Sequence, residues 1–307
     1  MKSKWVMGAV CACLAIALTA VCGLASAEEA TDASGQWKYA LEDGGAVITG
    51  YVVEPTDDLV IPGKLDGHAV TGIGISAFEG CVGLTGVTIP NSVTDIGSGA
   101  FKGCIGLTGV AIPVNVTYIG QNPFMNCRLA YIDVAPNNSV YEQRDGVLFD
   151  AQRAFLVSYP GAREGAYAIP EGIVFIGDGA FMGCAGLTGV TIPGSVTEIG
   201  FGAFLGCTGL TGVTIPSGVA HIGGWAFEGC DGLTSVTILG SVTSIGDRAF
   251  WACRGLTSAT ILGSMASIGD GAFHACDGLT LNVAKGSAAE QYAKEHHIPY
   301  NYICRGF

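Results

Sequence analysis

The chain has 307 residues, 49% of them apolar and only 13% charged, with 48 glycines and a formal charge of −12. Mean hydropathy is high at +0.46, but beyond the first 24 residues Gly, Thr, Ser and Pro break every apolar run before it reaches the ~20 residues that span a bilayer, which excludes a multi-span membrane protein. The acidic balance and the lack of a basic cluster likewise exclude a nucleic-acid binder.

The first predicted element is a targeting signal over residues 1–27. Lys2 and Lys4 precede an apolar run from Gly8 to Leu24, and Ala25-Ser26-Ala27 supplies the small-x-small pattern of a signal-peptidase site. Val21 before Cys22 is not the small residue that a lipoprotein acceptor needs. A retained membrane anchor is the alternative reading. Cleavage after Ala27 removes both lysines and leaves an exported, still more acidic chain that does not span a membrane.

Residues 28–83 are expected to hold an N-terminal capping segment and a first coil. Trp37, Tyr39 and the strand-like run Ala46–Tyr51 supply its apolar cover. Residues 84–278 are a repeat. Cys81, Cys104 and Cys127 are 23 apart, as are Cys184, Cys207, Cys230, Cys253 and Cys276. Each follows a Phe by three positions, and each Phe closes an I-G-x-x-[AP]-F block such as Ile96–Phe101 or Ile245–Phe250. Units of the form L-T-x-x-x-I open at Leu84, Leu107, Leu187, Leu210, Leu233 and Leu256. One such unit cannot bury its own apolar face, so successive units must stack. In Leu84–Pro90, alternation turns Val87 and Ile89 inward and Gly86 and Thr88 outward, and Pro90, lacking an N–H, ends the strand. Val93, Ile96, Ala100, Phe101 and Cys104 fill the rest of the interior. The expected fold is a leucine-rich-repeat solenoid, mainly β, of about eight coils, each with a short parallel strand.

Residues 130–164 interrupt the period. Their apolar runs Val147–Phe149 and Ala154–Tyr159 flank a polar turn and predict a hairpin protruding from the solenoid. Residues 279–307 read as a C-terminal cap: Ser287 with Glu290 three residues later is a capping-box pattern, and Ala288, Ala289, Tyr292 and Ala293 give the following short helix an apolar side.

These motifs resemble the BspA-like leucine-rich-repeat family of secreted or surface proteins. The resemblance includes Gln36–Tyr39, Ile48–Tyr51 and Leu59–Pro62 at the start, Tyr141–Phe149 and Ser158–Pro160 in the irregular unit, and Gly286–Lys294 with Ile298–Tyr300 at the close. It implies adhesion or partner binding. It transfers no catalytic residue, because the shared motif is structural.

The residues offer little chemistry. Stacked strands about 4.8 Å apart would place neighbouring cysteines within disulfide range, and export permits oxidation. A ladder of reduced, buried thiols is the favoured alternative, since unpaired Cys is among the most buried residue types. No His shares the cysteine phase, so a metal site is not expected, and nothing points to a cofactor. His221 and His274 occupy phases where sibling coils carry unrelated residues, as solvent-facing positions do, and none of the five histidines is flanked by a nucleophile and an orienting partner. Asp231, Arg254 and Asp277 share one phase and alternate in sign, a surface column worth little. Asp247 and Asp270 are like charges in adjacent coils, too few to cage a cation.

Surface character lies where coils differ from one another. Phe201 stands where siblings have Ser98, Gln121, Asp178, Asp247 and Asp270. Trp225 stands at a phase otherwise mostly Gly, and Trp251 where siblings have Glu79, Lys102 or Glu228. Large aromatics at phases that are polar elsewhere are candidate interface anchors, although neighbouring loops could equally pack over them. The sequence therefore predicts a non-catalytic, secreted or cell-surface protein that binds an extracellular protein or glycan through Phe201, Trp225 and Trp251. Two alternatives stand beside it: a structural envelope component without a specific ligand, and an enzyme with its site in the 130–164 insertion.

Overall fold

The computed structural model describes residues 28–263 and 265–303; the segment 1–27, read above as a targeting signal, and Cys304 lie outside the described residues. The chain winds as a β-solenoid with a 23-residue period. One face is built from short strands: Asp57–Val60, Leu84–Thr88, Gly109–Ile112, Tyr131–Val134, Gly165–Ala168, Leu187–Thr191, Gly212–Ile215, Ser235–Ile238, Ser258–Ile261, Thr280–Val283 and Tyr300–Tyr302. Neighbours in the paired groups run parallel. These strands mark about 11 turns, against the eight or so expected. Counting Phe–Cys blocks misses turns in which another aromatic fills the Phe place: Tyr51 stacks on Phe78, and Tyr159 on Phe181.

Each regular turn also forms a second, two-residue strand on the opposite face, where the sequence suggested only one strand per coil. Asp95–Ile96 pairs with Tyr118–Ile119, and a separate ladder runs from Phe175–Ile176 through Ser267–Ile268. Pro90 separates the two strands of its turn, and its carbonyl accepts the Val93 N–H at 3.1 Å.

The interior is a set of columns. Leu84, Val93, Ile96, Ala100, Phe101 and Cys104 are fully buried, and later coils repeat the pattern. The rings of Phe204, Phe227, Phe250 and Phe273 stack nearly parallel at 4.9–5.1 Å, the spacing of adjacent strands. Tyr292 closes this column at the C-terminal end, and a second stack of Phe78, Phe101 and Phe124 is closed by Trp37 and Tyr51 against Phe78.

The cysteines occupy a place that a plain apolar side chain would not fill as well. The Cys104, Cys207, Cys230, Cys253 and Cys276 thiols donate to the carbonyl oxygens of Phe78, Phe181, Phe204, Phe227 and Phe250 at 3.0–3.2 Å. All eight described cysteines are buried thiols. Burial pushes the Cys184 and Cys230 thiols up to about 12, far from the thiolate that reacts. Native protein should therefore leave these eight thiols unmodified by alkylating reagent until denaturant is added. Peptide mass spectra showing a Cys81–Cys104 or Cys207–Cys230 linkage would overturn this.

The insertion does not protrude. Tyr141–Arg144, Val147–Asp150 and Phe155–Ser158 form an antiparallel set, and Phe155–Ser158 then pairs in parallel with Phe175–Ile176. Val147, Leu148, Phe149 and Leu156 are all fully buried. Three consecutive apolar residues place side chains on both faces of a strand. Leu148 accordingly joins the core of the N-terminal turns, while Val147 and Phe149 join the core of the C-terminal turns. This strand is the seam between two core blocks.

At the C-terminus, Ala288–Glu295 is helical. Ser287 Oγ accepts the Glu290 N–H at 3.2 Å, and the Glu290 carboxylate reaches back to the Gly286 N–H, one residue beyond the expected capping-box position. Ala289, Tyr292 and Ala293 are buried against the last coil. Among the described residues, no helix is long and apolar enough to cross a membrane.

Candidate functional site

The I-G-x-x-[AP]-F corner must turn the chain sharply, and it does so with a left-handed residue at its fourth position. That residue is Ser76, Gly99, Asn122, Gly179, Gly202, Trp225, Arg248 and Gly271 in successive Phe-bearing coils, with φ between +50° and +62°. The coil-to-coil ladder imposes this conformation: Gly202, Trp225 and Arg248 donate their N–H groups to Gly224, Asp247 and Asp270 at 2.9–3.0 Å. A left-handed backbone costs a side-chain-bearing residue about 1–2 kcal/mol, with Asn the most tolerant. Trp225 and Arg248 thus carry a cost that most siblings avoid, in two adjacent coils.

The structure brings two of the three candidate residues together. The Phe201 and Trp225 rings lie 4.9 Å apart at a tilt of 42°, and both remain exposed, at 47% and 36%. Phe201 lies over Gly224, where a Cβ would come within 3.5 Å of its ring. Met182 and Leu205, both half-buried, border the same corner around Gly202.

Trp251 packs differently. It is half-buried, its ring lies 4.4 Å from that of His274, and the Arg248 guanidinium sits 4.8 Å above it. Arg248 follows Trp225 in the left-handed row. Sequence comparison between coils overlooked Arg248, although the signal was present: a long side chain at the phase that is Gly, Asn or Ser in every other coil except that of Trp225. Glu228, one coil before Trp251 at the same phase, keeps Oε2 buried without a hydrogen-bond partner.

Several other polar residues of the repeat and the insertion have structural partners. His221 Nδ1 lies 2.8 Å from Ser244 Oγ within the two-residue strand ladder. Asp231 pairs with Arg254 at 3.2 Å, an exposed contact worth under about 1 kcal/mol. Asp247 accepts the backbone N–H of Asp270, and Asp178 accepts that of Phe201. In the insertion, Asp150 accepts two backbone N–H groups and Glu142 pairs with Arg144. Among the described residues, no group of three or more His, Cys, Asp or Glu gathers as a metal site.

Comparison with known proteins agrees with this architecture. The BspA type leucine rich repeat region matches in six copies, over residues 70–146 and 166–287, more than half of the chain. The break between the two matched blocks falls on the irregular insertion. Comparison with curated protein sequences gave no match. A leucine-rich cell surface protein of Faecalibacterium prausnitzii is similar in structure, at 25% identity and a TM-score of 0.56, over 88% of this chain and 98% of its own. A leucine-rich repeat protein of Eubacterium ventriosum aligns over 84% of both chains at 22% identity, with a TM-score of 0.59. The pneumococcal vaccine antigen PcpA aligns over 92% of this chain and 99% of its own at 16% identity, with a TM-score of 0.56. The last two likenesses are of fold alone. With its 23-residue period, its Phe–Cys corners and this match, the chain belongs to the BspA-type leucine-rich-repeat family.

Proposed function

We propose that this chain is a non-catalytic, secreted or cell-surface binding protein that engages an extracellular protein or glycan through the corner formed by Phe201 and Trp225, flanked by Trp251. One observation carries the reading: Trp225 is held in a left-handed conformation that six of its seven siblings fill with Gly, Asn or Ser, and its ring remains outside the core, paired with an exposed Phe201. Backbone strain held in place by its surroundings is a mark of functional positions, and exposed aromatics are the usual anchors of interfaces. The cell-surface character of the Faecalibacterium relative supports an extracellular setting, as do the residues of the targeting segment.

The variant Trp225→Gly with Trp251→Ser separates binding from folding. Glycine is at ease at φ +59°, so the melting temperature of the double variant should stay near that of the parent. Loss of central anchors should weaken capture about thirtyfold. The measurement is saturable binding of residues 28–307 to purified matrix proteins and arrayed glycans, parent against variant. Absence of any saturable ligand, or unchanged capture by a variant with an unchanged melt, would sink the proposal.

A further inference from the structure

The strand face carries a second feature, remote in sequence from the aromatic corner. Register sets Asp58 beside Gly86 and Tyr131 beside Gly109. The Leu84–Thr88 and Gly109–Ile112 strands are neighbours, tied by the Thr108 N–H to the Thr85 carbonyl at 3.3 Å. Asp58, Gly86, Gly109 and Tyr131 therefore form one row across four coils. The two outer side chains lean inward over the glycines: a Cβ on Gly86 would lie 2.4 Å from Asp58 Oδ1, and one on Gly109 would lie 2.4 Å from Tyr131 Cζ. Tyr131 remains 49% exposed. Thr85 Oγ1 donates to Asp58 Oδ1 at 3.2 Å and fixes the carboxylate. Asp133, beside Ala111, adds a second carboxylate from the next row.

These residues line a depression of about 380 Å³ that contains no Lys, Arg or His. That volume fits one long side chain. Among the described residues the C-terminal half has no counterpart: the equivalent row runs Ala166, Gly189, Gly212, Ser235, Ser258, Thr280, and the depression there is lined by neither a charged nor an aromatic side chain. Acidity alone would draw a cation to many places on a chain with 26 acidic and 14 basic residues. What distinguishes this one is a fixed carboxylate and an aromatic ring facing each other across a floor that only glycine leaves open.

We infer that this cradle binds one arginine or lysine side chain of an extended peptide laid across the strand face. The cation would sit between Asp58 and Asp133 against the face of Tyr131, an arrangement that suits guanidinium and ammonium groups. Its aliphatic stem would lie along the glycine floor. This inference stands apart from the aromatic corner, and neither depends on the other.

The test is an NMR titration of the full exported chain with a capped Gly/Ser octapeptide bearing one central arginine, against the same peptide carrying neutral citrulline. The arginine peptide should bind saturably, shifting the amide signals of Gly86, Gly109 and Tyr131, and should bind about tenfold more tightly than the citrulline peptide. Asp58→Asn and Tyr131→Ala should each lower the affinity about tenfold, while Asp231→Asn, an exposed carboxylate elsewhere, should leave it unchanged. Gly109→Ala should also weaken binding by displacing the ring; the surface change Asp58→Asn gives the same answer if that variant fails to fold. Absence of binding, equal affinity for the citrulline peptide, or an equal loss in Asp231→Asn, which would mark diffuse attraction to an acidic protein, each overturns the inference.

Discussion

Phe227→Ala should cost about 3–5 kcal/mol of stability, near the upper limit for a core truncation, whereas Thr214→Ala on the exposed strand face should cost about 0.5 kcal/mol or less. Phe227 is fully buried, with Phe204 stacked on one face at 4.9 Å and Phe250 on the other at 5.1 Å. Its removal strips a partner from both rings at once. The surroundings cannot collapse to fill the gap, because the coils are tied on each side: the Phe204 N–H donates to the Ala226 carbonyl and the Phe227 N–H to the Ala249 carbonyl, both at 2.7 Å. A cavity that persists carries the full penalty. Urea denaturation followed by circular dichroism measures both variants. Equal losses would mean that the inward and outward faces of the coil are wrongly assigned.

Phe149→Ala should do something different: it should divide unfolding into two steps. In a stacked array, cooperativity depends on each interface between neighbouring units. Here the interior contacts fall into two blocks that meet at Val147–Asp150, with Leu148 facing one block and Val147 and Phe149 the other. Truncating Phe149, which is fully buried, removes about 3–5 kcal/mol, and it does so at the junction. Polar contact across the junction, such as Gln121 Nε2 to Asp178 Oδ2 at 2.8 Å, is exposed and adds little. The N-terminal and C-terminal turns should then melt at separate urea concentrations, whereas Phe227→Ala, inside one block, should shift the C-terminal turns without such a division at residue 149. A single transition for Phe149→Ala, displaced as a whole, would show that the seam is no weaker than any other interface.

The two variants also mark the division between what was legible in the chain and what was not. In a solenoid each residue touches chiefly the residue one period away, so a position's surroundings can be read by comparing siblings at the same phase. That is why the Phe and Cys columns and the stacked Ile and Val positions follow from the 23-residue period, whereas the exposure of Phe201 and Trp225 was settled only by the folded stack. The same comparison held the clue to Arg248, since the left-handed corner position carries Gly, Asn or Ser in six of eight Phe-bearing coils. It failed wherever the period fails. Tyr51 and Tyr159 take the Phe place at irregular spacings and hide the extra turns. The Val147–Phe149 strand has no sibling, so its burial on both faces emerged only when two cores closed on it. Asp58 pairs with Gly86 and Tyr131 with Gly109, separations of 28 and 22 residues that no fixed repeat predicts. Local pattern sets which residues face inward within a regular coil, because strand alternation and corner geometry act over a few residues. Register between unequal coils is decided by the hydrogen-bond ladder and by where bulges absorb the excess chain, and those form only in the assembled stack.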